Sequence, residues 1–439
     1  MIPSRRVYEL LILGVAIVPL MAAVLNPEAR LIGSLATAVV FNGVVLGLAF
    51  WDSRRVKAQR IQITRQPLQR LSIGRDNPVV LSLQGGSRDS EVQISDAYPG
   101  EFWVSKQVLQ LPIAANSQQD LTYTVTPFRR GEYQWGDVQV RQLSPWKLAW
   151  DDWKIPQSQT VAVYPDLLGL RSLAIRLALQ STGAVRQLRR IGMGTEFAEL
   201  RDYGTGDDPR LIDWKATARR SHPLVRVLEP EQEQTLMILL DRGRLMTARV
   251  KGMSRFDWGL NATLSLALAG LNRGDRVGVA VFDREIHTWI PPERGQHHLS
   301  RLIERLTPIQ PALLEPDYIG AVTAMAKQQT RRALIVLITD LIDATASAEL
   351  LAAMGRLTPR YLPFCVALRD PQVDQQANTP TQEIEGAYAR SVALDLLAQR
   401  QVAFANLKRK GVLVLDAPAD KITEQLVDRY LLLKARNQL

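Results

Sequence analysis

The chain has 439 residues, a length that suits two or three domains. Apolar residues make up 46% and charged residues 22%, which excludes wholesale disorder. The single cysteine, Cys365, excludes a disulfide framework and a multi-cysteine metal site, and the four histidines (His222, His287, His297, His298) leave little for a histidine-rich centre.

The net charge of +10 is unevenly spread. Residues 1–60 hold seven Arg or Lys against three Asp or Glu, and residues 186–226 hold nine against six. The remainder is nearly balanced, unlike a nucleic-acid binder, and no nucleic-acid partner is expected.

Two charge-free runs open the chain: 18 residues from Leu10 to Pro27 and 21 from Leu31 to Trp51. A membrane-spanning helix needs roughly 20 residues. With a polar turn at Asn26–Arg30, residues 1–60 read as a transmembrane helical hairpin. Arg5 and Arg6 precede it, and Arg54, Arg55, Lys57 and Arg60 follow it, so both ends are expected on the cytoplasmic side of the bilayer. Tyr8 and Trp51 sit where interfacial aromatics belong. The competing reading is a cleaved signal peptide followed by one span.

Residues 61–165 carry strand-like runs such as Val79–Leu83 and Leu121–Val125, separated by turn signals at Asn77-Pro78, Gly85-Gly86 and Pro99-Gly100. A small antiparallel sandwich is expected. Trp103, Trp135, Trp146, Trp150 and Trp153 fall here and read as core and domain-interface packing.

Residues 166–230 contain the densest motif. Ten charges of both signs lie between Glu196 and Arg219. Asp208 followed by Pro209 predicts a helix start, with Leu211, Trp214 and Ala218 on one face and Arg210, Asp213 and Thr217 on the other. Arg186, Arg189 and Arg190, just upstream, read as a solvated basic face. Gly192-x-Gly194 lacks the Gly-Lys-Ser/Thr that would make it a phosphate cradle.

From residue 231 to 439, continuous apolar runs alternate with helical periodicity. Thr235–Leu240 ends in Asp241, Arg276–Phe282 in Asp283, and Ala333–Thr339 in Asp340; Pro363–Leu368 and Gly411–Leu415 are further runs. Such runs suit a parallel sheet buried on both faces. Helices are predicted over Trp258–Leu271, 383–409 and 419–437. The expected fold is a doubly wound α/β domain whose ligand face lies beyond the strand carboxyl ends. Cys365 reads as a buried core residue, and His297-His298 as a solvated loop or helix start.

A strand ending in Asp, with a second ending in Thr-Asp, resembles a von Willebrand factor A domain. In that family the first strand leads into Asp-x-Ser-x-Ser, which holds Mg²⁺ together with a downstream Thr and Asp, and the metal captures a partner's carboxylate. Here Gly243 and Leu245 stand in the serine positions after Asp241, with Arg242 and Arg244 between them. Asp340 matches the downstream Asp, and Asp317 lies in roughly the region of the Thr. The resemblance implies a degenerate site at Asp241 and Asp340, with Mg²⁺ the cation it would take.

The motif in 196–219 resembles the signature of a bacterial domain-of-unknown-function family, number fifty-eight. Glu196, Phe197, Leu200, Arg201, Tyr203, Gly206, Asp207, Asp208, Arg210, Ile212, Asp213, Trp214, Lys215, Ala216, Ala218 and Arg219 all fit it. The resemblance implies a multi-pass protein of the bacterial inner membrane with no cofactor. It implies a non-enzymatic adaptor working with a MoxR-type AAA+ ATPase, and with other A-domain membrane proteins, in chaperone-like assembly. Within the motif, Glu196, Phe197, Leu200, Arg201, Tyr203, Asp207, Asp208, Arg210, Asp213, Trp214, Lys215 and Arg219 are the expected partner-binding or domain-interlock residues. An alternative reading takes Asp207, Asp208, Asp213 and Lys215 as a divalent-metal phosphodiester hydrolase site.

Overall fold

The computed structural model describes the chain except residues 1, 25–29, 58, 69, 185–195, 230–233, 342–346, 381–382 and 437–439. At 20–24, 30–31, 180–184, 196–199 and 227–229 it describes the backbone alone. Arg186, Arg189, Arg190, Gly192 and Gly194 therefore lie outside the described residues. The chain divides into two compact units, 1–164 and 165–439.

The first unit begins with two apolar helices, Arg5–Val24 and Arg30–Lys57, packed side by side. Among the described residues one helix, Ile32–Lys57, is long and apolar enough to cross a membrane. Gly14 makes the close packing feasible, because a Cβ there would collide with the Asn42 amide and the Phe41 ring. Val7, Val45 and Ala49 form a small shared core, whereas Ile12, Val39, Val40, Val44 and Phe50 face outward.

Eleven strands follow from Gln62 to Tyr164 and, with Ile2–Pro3 from the start of the chain, form sheets of five, four and three strands. Neighbouring strands are antiparallel except Arg70–Ser72 with Gln159–Tyr164. In Asn77–Gln84 burial alternates, with Val79, Leu81 and Leu83 inward, as a half-buried sheet requires. The predicted tryptophan core needs correction. Only Trp135 is wholly buried, Trp150 and Trp153 are half-buried, and Trp103 and Trp146 are exposed. Trp135 is retained inside because its indole N–H finds Asp96 there.

The second unit opens with the helix Leu167–Ala184 and a two-stranded ribbon, Glu196–Asp202 against Leu224–Glu229. A six-stranded sheet follows, in the order 286–293, 276–282, 235–241, 334–339, 362–369, 413–418. All neighbours are parallel except the edge pair 276–282 and 286–293. The five predicted apolar runs are strands. The edge strand carries Pro291-Pro292 and was not foreseen; proline is tolerated there because one edge needs no ladder donors.

Helices Leu167–Ala184, Arg255–Asn272, Gln296–Leu306 and Ile422–Ala435 cover one face of the sheet. Tyr318–Gln328, Ala348–Gly355 and Ile384–Arg409 cover the other. Cys365 is fully buried, and burial pushes its thiol up to about 12. The histidine pair does open a helix, but His298 is not solvated: it is buried, with Nε2 2.7 Å from the Val277 carbonyl oxygen.

Candidate functional site

Two features collect the residues singled out from sequence: the ribbon that carries the signature, and the strand ends of the sheet.

The ribbon is built by local polar chemistry. The Asp207 carboxylate accepts from Gly204 N–H at 2.8 Å and from the Arg201 guanidinium at 2.5 Å, which closes the turn after the first strand. Tyr203 N–H donates to the Pro223 carbonyl, and His222 Nε2 lies 2.9 Å from Asp202. The single helix predicted after Asp208 is in fact two pieces. Asp208 caps a 3-10 turn, Pro209–Leu211, and Asp213 caps a separate α-helix, Trp214–Arg220. A second carboxylate at an N-cap position restarts the helix, because Asp213 accepts from Ala216 N–H at 3.0 Å. Asp213 also accepts from Arg226 at 2.7 Å, and these bonds hold its carboxyl below the usual range.

Neither the turn nor the helix buries any residue. Trp214 is 70% exposed, and Leu200 and Tyr203 are exposed as well. Arg210, Lys215, Arg219 and Arg220 also face solvent. For Glu196 and Phe197 the backbone alone is described: they start the ribbon opposite Glu229 and Leu228. The geometry does not gather Asp207, Asp208, Asp213 and Lys215 into a metal-holding group. One carboxylate closes a turn and the other two cap separate elements, and no group of three or more His, Cys, Asp or Glu suited to a metal occurs among the described residues.

At the strand ends, Asp241 and Thr339 lie on the adjacent central strands, where the strand order reverses. Asp241 is fully buried. Its carboxylate accepts from Thr339 Oγ1 at 2.6 Å, Tyr318 Oη at 3.1 Å and Gly243 N–H at 2.6 Å. Asp340 accepts from Arg255 at 2.6 Å and Arg400 at 2.8 Å. Arg400 continues to Asp416 at 2.9 Å, and Arg369 bridges Asp416 and Asp374. Arg242 pairs with Asp283 at 2.7 Å; burial raises that carboxyl, but the Arg242 and Glu285 bonds bring it below the usual range. Guanidinium groups thus supply positive charge at Asp340. Asp317 does not join these carboxylates, since it caps Tyr318–Gln328 by accepting from Gly320 N–H.

Sequence reasoning placed Asp241 and Asp340 at strand ends but missed Arg255, Arg400 and Tyr318. Arg400 did leave a signal: it falls on the face of its helix that carries Ala393, Ala403, Phe404 and Leu407. Gly243 has a steric explanation. A Cβ there would lie 2.8 Å from the Leu314 carbonyl oxygen and 2.9 Å from Pro316. Residues 312–316 press on this loop through Arg244 N–H to Leu314 O and Ala312 N–H to Arg242 O. A serine fits there only if that segment moves.

Burial pushes the Asp241 carboxyl up to about 6, against hydrogen bonds from Thr339, Gly243 and Tyr318 that favour its ionised form. Its folded state therefore holds a proton that the unfolded state releases, and stability falls as pH rises between about 4 and 6. Asp241→Asn is expected to be more stable than wild type near neutral pH by up to about 3 kcal/mol, with the gap closing near pH 4. Thr339 Oγ1 already lies 3.3 Å from the Asp340 carbonyl oxygen, so its hydroxyl has an acceptor to turn to. Denaturant midpoints at the two pH values measure the gap, and a gap independent of pH would refute the assignment.

Residues 199–386 match the family model described as "Protein of unknown function DUF58". Over this segment the chain is similar to the DUF58 family. Uncharacterized proteins of Mycobacterium tuberculosis and Mycobacterium bovis are 24% identical over 209 residues, 46% of this chain. That match spans 65% of the relatives' length. The uncharacterized protein YeaD of Bacillus subtilis is 26% identical over 142 residues, 32% of this chain and 33% of the relative. Among solved structures, an aerotolerance-related membrane protein from Bacteroides fragilis aligns over 45% of this chain and 99% of its own, at 17% identity and TM-score 0.30. BatB of Bacteroides thetaiotaomicron aligns over 46% and 99%, at 15% identity and TM-score 0.31. The DUF58 match begins inside the ribbon and takes in Asp241, Thr339 and Asp340, but it ends before Arg400 and Asp416. No catalytic family is among these matches.

Proposed function

We propose that this DUF58 protein is a non-enzymatic adaptor anchored in the bacterial inner membrane, whose ribbon docks a MoxR-type AAA+ ATPase. The observation that carries the reading is the ribbon's exposure. Among the described residues its ion pairs close within itself, at Arg201–Asp207, Asp202–His222 and Asp213–Arg226. That leaves an unburied tryptophan amid Arg210, Lys215, Arg219 and Arg220. Exposed Trp beside Arg is the composition of interface hot spots.

The remaining parts of the reading have their own support. The outward apolar faces of the paired N-terminal helices support a two-pass anchor, and the basic residues at both ends support a cytoplasmic orientation. The sheet order, with Asp241 and Thr339 at the switch point, supports a von Willebrand factor A-like fold whose strand-end loops form a second partner face, for clients or other A-domain membrane proteins. With Asp340 held by two arginines, we read that face as working without Mg²⁺.

Crosslinked pull-downs from detergent-solubilised native membranes, with and without ATP, test the proposal. Wild type is expected to recover a AAA+ ATPase. Trp214→Ala, which removes no buried contact, should weaken recovery about thirtyfold, as loss of a hot-spot side chain does. Recovery unchanged by Trp214→Ala moves the interface to the strand ends, where Asp241→Ala is the next variant. No ATPase under either condition defeats the reading.

A further inference from the structure

The two ends of the N-terminal hairpin are fastened to one short turn of the sheet unit. Ile2 and Pro3 pair with Trp150 and Ala149. Ser4 donates its hydroxyl to the Lys147 carbonyl at 2.6 Å and its N–H to the Leu148 carbonyl at 2.9 Å. At the other end, the buried Asp52 carboxylate accepts from Trp146 N–H at 3.2 Å. Leu148 packs on the hairpin's core of Val7, Val45 and Ala49. The turn is itself closed by Lys147 N–H to Ser144 O, and by the Ser144 hydroxyl accepting from Leu148 and Ala149. Its height relative to the apolar helices is therefore fixed.

That height is the end of the apolar run. Trp51 closes the run, and the Trp146 ring lies 5.2 Å from it, tilted by 53°. The Arg55 guanidinium sits 3.6 Å from the Trp51 ring centre and 5.3 Å from that of Trp146. Trp146 nevertheless stays 43% exposed. Lys147 holds a left-handed backbone (φ 61°) and is exposed, as are Arg54 and Lys57, while the neighbouring Asp52 is buried. Amphipathic rings ringed by exposed cations suit the polar layer of a bilayer, where tryptophan collects and basic side chains meet anionic headgroups.

We infer that the Ser144–Leu148 turn is a membrane-docking element, which sets Trp146 and Lys147 among anionic lipid headgroups and holds the sheet unit against the bilayer. The inference rests on the anchoring reading above. It adds a lipid contact by the sheet unit to the span itself.

The test uses the full chain in lipid nanodiscs with an environment-sensitive fluorophore on a single introduced cysteine; Cys365 is buried and stays unlabelled. Three positions are compared. Lys147→Cys lies on the turn. Val40→Cys lies eleven residues before Trp51, about 16 Å along a helix and so near the bilayer centre. Gly100→Cys, with open space around its Cβ, follows the strand end where Asp96 pairs with Val138, opposite the end where Leu143 pairs with Trp150.

Headgroup spin labels are expected to quench position 147 about fivefold more than position 100, and more in phosphatidylglycerol than in phosphatidylcholine discs. Deep acyl-chain labels should quench position 40. Equal quenching at 147 and 100 with position 40 quenched overturns the docking and leaves the anchor standing. Equal quenching at 147 in neutral and anionic discs overturns the choice of anionic lipid. An unquenched position 40 overturns the anchor and the docking with it.

Discussion

Replacing Asp96 by alanine is expected to destabilise the sheet unit by about 3–5 kcal/mol, the cost of stripping the partner from a buried charge. Asp96 is 5% exposed, and it accepts from the Arg65 guanidinium, from Tyr123 Oη at 2.6 Å and from Trp135 Nε1 at 3.1 Å. Arg65 is equally buried and has further acceptors in the Gln157 and Gly136 carbonyls. Without Asp96 the guanidinium keeps those two neutral partners but no counter-charge, and two ring donors lose their acceptor. In wild type, burial and the adjacent Asp96 charge push the Tyr123 phenol well above its ordinary range, which keeps it a hydrogen-bond donor to that carboxylate.

Hydrogen exchange of the full chain, read in the strands Gln118–Thr126 and Val138–Leu143, reports the effect where it arises. Asp96→Asn should cost less, because an acceptor remains. The double change Arg65→Met with Asp96→Leu should recover most of the loss, since it removes both charges together. A loss below about 1 kcal/mol in the alanine variant would mean that the hub contributes no more than a surface pair.

The second large effect is expected at Arg400. Arg400→Leu should lower the stability of the second unit by about 3 kcal/mol or more, because it leaves buried carboxylates short of a partner. Arg400 is 7% exposed, and it donates to Asp340, to Asp416 and to the Leu341 carbonyl. Arg255 still reaches Asp340 and Arg369 still reaches Asp416, so the sheet is expected to fold but melt early. Thermal melts monitored by circular dichroism give the size. Asp340→Asn is the informative comparison: it should cost less, because both arginines keep other acceptors. If Arg400→Leu melts with wild type, the arginine network is surface decoration rather than the holder of the strand ends.

What the sequence disclosed and what it withheld divide along physical lines. Four sheet strands announced themselves because burial on both faces demands unbroken apolar runs, and the half-buried edge strand Leu413–Pro418 still opens on a short apolar run. The edge strand Ile286–Glu293 hid because one side of it meets water, which permits His287 and the two prolines. Tyr318–Gln328 and Ala348–Gly355 hid because short helices carry few turns of periodicity. At the strand ends, Asp241 and Asp340 were legible from chain position alone. Arg255 and Arg400, 85 and 60 residues away from Asp340, were not, because only folding brings them there. The signature was legible as a string, but its exposure was not. A ribbon of mixed charges reads alike whether it pairs internally or faces a partner. The structure shows the internal pairing, with Asp207 and Asp213 bonded within the ribbon, and it leaves Trp214 and Lys215 exposed.

That division makes the ribbon portable. Its described ion pairs join residues 6, 13 and 20 apart, and the one isolated bridge, Ile212 with Val225, also closes inside it. Shape here is specified by near neighbours rather than by the sheet beyond. A lone two-stranded ribbon is marginal in water, so a free peptide would need a crosslink or a host loop to hold its strands together. Grafted onto an unrelated stable scaffold, residues 200–226 should keep their turn, their two caps and their exposed tryptophan. Under the docking proposed above, such a graft becomes a reagent that competes with the intact protein for its ATPase.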